Sequence, residues 1–274
     1  MSPISPSSPS GPSVEPAGVS ARGRRDLAVL FGSGQRTVTV AAAATALGVS
    51  RGSAARRLAA WAAGGWLRRV RRGLYAAVPA DARDPASWSE DPWYLADLVW
   101  DPCYIAGWSA ASHWALTDQV FRCTIVATSQ RVRRVDQSLA GVDYLVHHVG
   151  ADRLGWGLVG EWRGDRRVKV SSPERTVADM LSDPALGGGI RHTMETLDAL
   201  LSVARLEGLV DALEQLGNGA AIKRLGYLLE VLGYDTAPIK RSLTSGFPLL
   251  DPALPAKGAR SSRWGLRINA DVSA

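Results

Sequence analysis

TVTVAAAATALGVSRGSAARRLAAWAAGGWLRRVRRGLYAAV, residues 37–78, holds two helix patterns and a hairpin pattern in succession. Val40–Leu47 is rich in Ala, the strongest helix former, and Thr39 stands where it can cap the first turn. Gly48 ends that helix because it adopts positive φ without steric cost. Ser50 can cap a second helix reaching about Ala63, closed by Gly64-Gly65. Two alternating runs follow, Trp66–Val70 and Leu74–Val78, with Arg71-Arg72-Gly73 between them as a hairpin tip. Two helices joined by a tight turn and trailed by a hairpin predict a winged helix-turn-helix. A first helix over Arg24–Phe31 and a short strand at Arg36–Val38 would complete it.

The second helix has two unlike faces. With Leu58 set inward, about 100° per residue places Ala54, Ala55, Trp61 and Ala62 on the packing side. Ser53, Arg56 and Ala60 point away, and Gly52 and Arg57 lie on the flanks. A helix entering the major groove needs small residues where the backbones approach and Arg near base edges or phosphates. Ser53 and Arg56 are therefore the expected base readers. Arg51, Arg57 and the hairpin residues Arg68, Arg69, Arg71 and Arg72 are the expected phosphate or minor-groove contacts. A solvated basic face, or a winged helix that binds protein, fits the same pattern.

Charge is segregated along the chain. Residues 27–80 carry eight Arg and no acid, and residues 1–26 net +1. The whole chain is +6, which leaves residues 81–274 at −3. A cationic domain joined to a mildly acidic remainder is drawn to a polyanion, double-stranded DNA being the expected partner, with salt-sensitive affinity.

Composition bounds the rest. A hydrophobic fraction of 46% and a charged fraction of 21% suit a globular chain. Neither a membrane-length apolar run nor a signal-like N-terminus is present, so the cytoplasm is the expected location. Cys103 and Cys123 are too few for a disulfide framework and lack zinc-ligand spacing. Residues 1–21, with five Pro and seven Ser, read as a disordered tail. Residues 22–80 form the expected DNA-binding domain and 81–274 an α+β domain that becomes helical toward its end. Within it, strands are expected at Cys103–Ala106, Phe121–Thr128, Val142–Val149 and Arg166–Val170, with a last one at Trp264–Ile268. Helices are expected after Asp91-Pro92, over Ser109–Leu116, after Ser172-Pro173-Glu174, over Ile190–Ala204 and Leu206–Leu216, and after Asn218. In the last of these, Lys223, Tyr227 and Glu230 share the outer face, which makes Lys223 and Arg224 candidate accessory DNA contacts.

Catalytic patterns are sparse. His113, His147, His148 and His192 lack close partners of metal-ligand type, and His147 and His148 fall on opposite faces of a strand. Ser171 and Ser172 lack nucleophile-elbow glycines, and Gly187-Gly188-Gly189 is not followed by the Lys-Ser/Thr of a phosphate-binding loop. Asp143, Glu161, Asp165 and Lys169 could form a nuclease set only if the fold brought them together. The ten Trp read as packing residues rather than a platform for stacked bases. No enzyme activity, cofactor or metal is expected.

The motifs taken in order resemble the AbiEi antitoxins of type IV toxin–antitoxin systems. They are the winged helix ending at Gly73–Ala76, YIAGWSAASHWAL at Tyr104–Leu116, VSSPERTVADML at Val170–Leu181, NGAAIKRLGYLLEVLG at Asn218–Gly233 and RWGLRIN at Arg263–Asn269. The resemblance implies a repressor that binds repeats in its own promoter and counteracts a nucleotidyltransferase toxin, without requiring a tight complex. The alternative is a stand-alone winged-helix regulator whose larger domain senses a ligand or partner.

Overall fold

The computed structural model describes residues 18–85, 87–237, 239 and 246–272. It is a mixed α+β chain of two compact units. One is built from residues up to Leu95 together with Ser138–Val142, the other from Ala96–Gln137 and from Asp143 onward.

The first unit opens with α1 (Ala21–Phe31), β1 (Thr37–Thr39), α2 (Val40–Ala46) and α3 (Arg51–Ala63). The hairpin β2 (Leu67–Arg71) and β3 (Leu74–Ala77) follows, and the sheet order is β1-β3-β2, all antiparallel. Capping is as the sequence predicts: Thr39 Oγ1 accepts from Ala42 N at 3.1 Å and Ser50 Oγ from Ser53 N at 3.2 Å. Between the two helices Gly48 takes φ +61° with no atom near its missing side chain, so the turn needs Gly for its backbone, not for space. Leu30, Val38, Ala43, Ala44, Ala54, Leu58, Leu67 and Tyr75 form the core. Ser20 caps α1, so the helix starts at Ala21, inside the stretch read as tail. Residues 1–17 of that tail lie outside the described residues.

Helix α4 (Pro92–Trp100) starts where Asp91 Oδ1 accepts from Tyr94 N at 2.9 Å. Next come β4 (Cys103–Ile105), α5 (Gly107–His113), β5 (Cys123–Thr128), β6 (Asp136–Leu139) and β7 (Val142–His148). Then β8 (Leu158–Arg163) and β9 (Arg166–Ser171) lead into α6 (Pro173–Ser182), α7 (Ile190–Val203), α8 (Leu206–Leu216) and α9 (Gly219–Leu232). A short pair, β10 (Ala259–Ser261) and β11 (Leu266–Ile268), comes last. The six-stranded sheet runs β6-β7-β5-β4-β9-β8. Pairs β4–β9 and β5–β7 are parallel, β4–β5 and β8–β9 antiparallel.

Sheet alternation divides the buried side chains between two layers. Tyr104, Ala106, Ile125 and Ala127 join the core made with the later helices, where Val177, Leu181, Leu197, Leu213 and Leu225 are buried. The opposite face carries Val126, Tyr144, Val146 and Val170. There Trp100 of α4 meets Tyr144 edge-on at 4.9 Å between ring centres. β6 and β8, the two edges of the sheet, and the short β10 are strands that the sequence does not predict.

Candidate nucleic-acid interface

On α3, Ala54 and Leu58 are buried, Arg51, Gly52, Arg56 and Ala60 are exposed, and Ser53 is half-buried, in line with the two predicted faces. A chain of polar contacts runs along the outer face. Ser50 Oγ donates to Ser53 Oγ at 3.0 Å, and Arg56 Nη2 donates to Ser53 Oγ at 3.2 Å. Arg56 is thus held along the helix by a hydroxyl, while its other guanidinium nitrogens keep their donors. A shallow groove between α2 and α3 is walled by Ala41, Ala42, Ala44, Thr45, Gly48 and Val49, with Arg51 at its rim. Side chains this small allow a polymer backbone to come close.

The hairpin departs from strict alternation. Leu67 and Val70 are both buried although three residues apart, and the register against β3 shifts between Arg69 and Arg71. A β-bulge absorbs the extra residue and keeps Val70 inward. It leaves Arg69, Arg71 and Arg72 exposed. Gly73, at φ +82°, closes the tip next to Arg72.

Two of the predicted contacts are placed differently. Arg57 Nη1 pairs with Asp26 Oδ2 of α1 at 2.9 Å, so it ties two helices of the unit together. Arg68 is half-buried. Arg36, elsewhere in the unit, pairs with buried Glu90.

Lys223 and Arg224 are corrected outright. They are 4% and 3% exposed, not on an outer face. Lys223 Nζ donates to Gly246 O at 3.0 Å. Arg224 spends all three nitrogens on the carbonyls of Leu181, Ser182, Leu249 and Leu250, at 2.8–3.2 Å. A buried cation must find acceptors inside the protein, and these two have found them in backbone oxygens. Neither presents a donor to a phosphate.

One buried cation set gave no signal in the sequence reading. Arg175 is completely enclosed. Its Nε donates to Asp179 Oδ1 at 2.9 Å, Nη1 to Trp156 O at 3.2 Å and Nη2 to Tyr104 Oη at 3.1 Å. Tyr104 Oη donates to Asp179 Oδ2 at 2.9 Å, and the guanidinium lies 3.8 Å from the centre of the Trp156 ring. Burial raises the pKa of Asp179, against the pull of Arg175 and Tyr104. The available cue is an Arg followed four residues later by Asp, both among the apolar positions of an amphipathic helix.

The remaining reactive side chains are scattered. His192 Nδ1 lies 2.5 Å from Gly187 O and Nε2 2.7 Å from Thr117 Oγ1. His148 Nδ1 is 3.0 Å from Gln130 O, and His113 is 3.7 Å from Glu161. Among the described residues no three His, Cys, Asp or Glu cluster as metal ligands would. Burial pushes both thiol pKa values up. Ser171 Oγ is buried against Thr176 Oγ1 at 2.7 Å. The backbone N–H of Ile190, after the three glycines, already donates to Asp251 Oδ2 at 3.0 Å. Asp143 on β7 and Lys169 on β9 are three strand spacings apart across the sheet, about 14 Å, and are offset along the strands as well. Asp165 sits in the β8–β9 turn, so the four residues do not converge. Among the ten Trp, nine are buried or half-buried; Trp162 is 69% exposed and departs from the packing expectation.

No protein-family model matches the sequence, and no curated protein matches it. Among solved structures, the crystal structure of the Rv2827c protein from Mycobacterium tuberculosis is similar with a TM-score of 0.63 and 18% identity. The match covers 92% of this chain and 94% of that one, a likeness of fold along nearly the full length of both. Among the described residues no helix is long and apolar enough to cross a membrane.

Proposed function

We propose that the chain is a duplex-DNA-binding repressor that acts in the cytoplasm as the antitoxin of a type IV toxin–antitoxin pair. It works by binding, without a cofactor and without turning over a substrate. The observation that carries the DNA reading is one arrangement. Arg51 and Arg56 on α3 and Arg69, Arg71 and Arg72 on the hairpin are exposed, and none forms an ion pair with an acid among the described residues. Arg56, steadied by Ser53, is the base reader, and the hairpin arginines supply phosphate or minor-groove contacts.

The deciding measurement is binding of the full chain to its own promoter fragment over a series of salt concentrations. Replacing Arg69, Arg71 and Arg72 together by Ala should flatten the salt slope by about one unit for each phosphate no longer neutralised. An unaltered slope removes the hairpin from the interface.

The antitoxin half rests on the ordered motif set, from Tyr104–Leu116 to Arg263–Asn269. Its partner is the nucleotidyltransferase toxin encoded beside it, and no tight complex is needed. Co-expression of the full chain should restore growth to cells making that toxin. Failure of rescue with promoter binding intact leaves a stand-alone winged-helix regulator.

A further inference from the structure

We propose that the outer end of the β8–β9 hairpin, around Trp162, is a second nucleic-acid site, which takes single-stranded DNA or RNA by stacking an unpaired base on the indole. The register between β8 and β9 sets Trp162 opposite Arg167 and Gly160 opposite Lys169. Paired residues of an antiparallel ladder share a face, so Trp162, Arg167, Lys169 and Gly160 lie on one side of the sheet. Leu158 and Ser171 complete that face, which carries no acid.

The three large side chains are exposed. Arg167 and Lys169 form no ion pair and no hydrogen bond among the described residues. Glycine at 160 has a specific consequence. A side chain there would begin 2.2 Å from Arg167 Nε, so Arg167 lies across the space that the missing Cβ leaves. Arg167 thus reaches over Gly160, and Trp162 remains 69% exposed.

The composition of the patch selects its ligand. A single indole flanked by Gly, Arg and Lys offers far less apolar area than a protein interface needs. One aromatic ring is sufficient for one base, and base–aromatic stacking tolerates any sequence. A duplex hides its base faces, so an unpaired base is required. Arg167 and Lys169 stand one same-face step apart along β9, about 6.6 Å, and can meet successive phosphates of an extended strand. This site is separate from the α3 and hairpin arginines and can fail without affecting them.

The test uses the full chain with Arg56, Arg69, Arg71 and Arg72 replaced by Ala, which suppresses binding by the winged helix. Fluorescence anisotropy follows labelled oligothymidylate and oligouridylate. Adding Trp162→Ala should weaken binding of both about tenfold, and Trp162→Phe should retain most of the affinity. Arg167→Ser with Lys169→Ser, which leaves the indole in place, should also weaken binding and flatten its salt dependence. In the otherwise native chain, Trp162→Ala should leave promoter-duplex affinity unchanged. Three results overturn the proposal. They are oligonucleotide affinity unmoved by Trp162→Ala, oligonucleotide binding abolished by the four arginine substitutions alone, and loss of self-association on Trp162→Ala with oligonucleotide binding intact. The last assigns the surface to a second copy of the chain.

Discussion

Arg56, Arg69, Arg71 and Arg72 stand in solvent with no carboxylate paired to them among the described residues, whereas Arg175 and Arg224 are buried and have every guanidinium nitrogen donating inside the protein. The same side chain has opposite duties in the two units. A buried guanidinium must be matched by acceptors before the fold tolerates it, and once matched it has nothing left to offer a ligand. An exposed one without a carboxylate partner costs the fold little and keeps most of its donors. Net charge alone does not separate these cases; the acceptors around each cation do.

The sharpest way to break that contrast is at Arg175. Arg175→Met should cost about 3–5 kcal/mol, because Asp179 is left buried without its counter-charge. Urea unfolding measures it, and stability within experimental error of the parent would mean the buried set is not structural. Arg224→Met should cost about 3 kcal/mol by stranding carbonyls of Leu181, Leu249 and Leu250, with promoter affinity unchanged. Weaker DNA binding at unchanged stability would move Arg224 to the other side of the comparison. Arg56→Ala should do the reverse of both. Stability should shift by less than about 0.5 kcal/mol, while promoter binding weakens by about 1–3 kcal/mol and loses sequence preference. Weaker binding with preference intact would make Arg56 a phosphate contact.

The smallest effect is expected at His147, where burial lowers the imidazole pKa. The unfolded chain then takes up the proton first, so stability falls as pH drops through the unfolded value of about 6.5. His147→Gln should remove that part of the decline. An identical pH profile for both chains would show that His147 titrates alike in the two states.

Local signals carried most of the fold. Thr39, Ser50, Asp91, Ser172 and Asn218 each cap the helix that the sequence assigned to them, because a cap and the apolar period behind it are read within one short window. β6 and β8 were missed for a shared reason. Both are edge strands of the sheet, and neither DQSL, with three polar residues in a row, nor LVGEWR, with two adjacent apolar residues and a Gly, alternates polar and apolar residues in its sequence. Lys223 and Arg224 were misplaced because the segment covering them, near residues 246–250, lies outside the helix period. Arg57 could not be recognised as paired because Asp26 is thirty-one positions away in sequence. Exposure of Trp162 depends on where the sheet ends, which no helix or strand period encodes.

The contacts from α9 to residues 246–250 bear on how the chain can be cut. Gly246, Leu249 and Leu250 act as an internal solvent for two charges that have no access to water. Trp264 lies so close over Gly226 that a side chain at that position would collide with its ring. Any deletion series that stops short of these residues strands both cations in an apolar interior. Loss of activity in such a fragment would report misfolding of the helical layer, whatever the removed segment does in the intact protein.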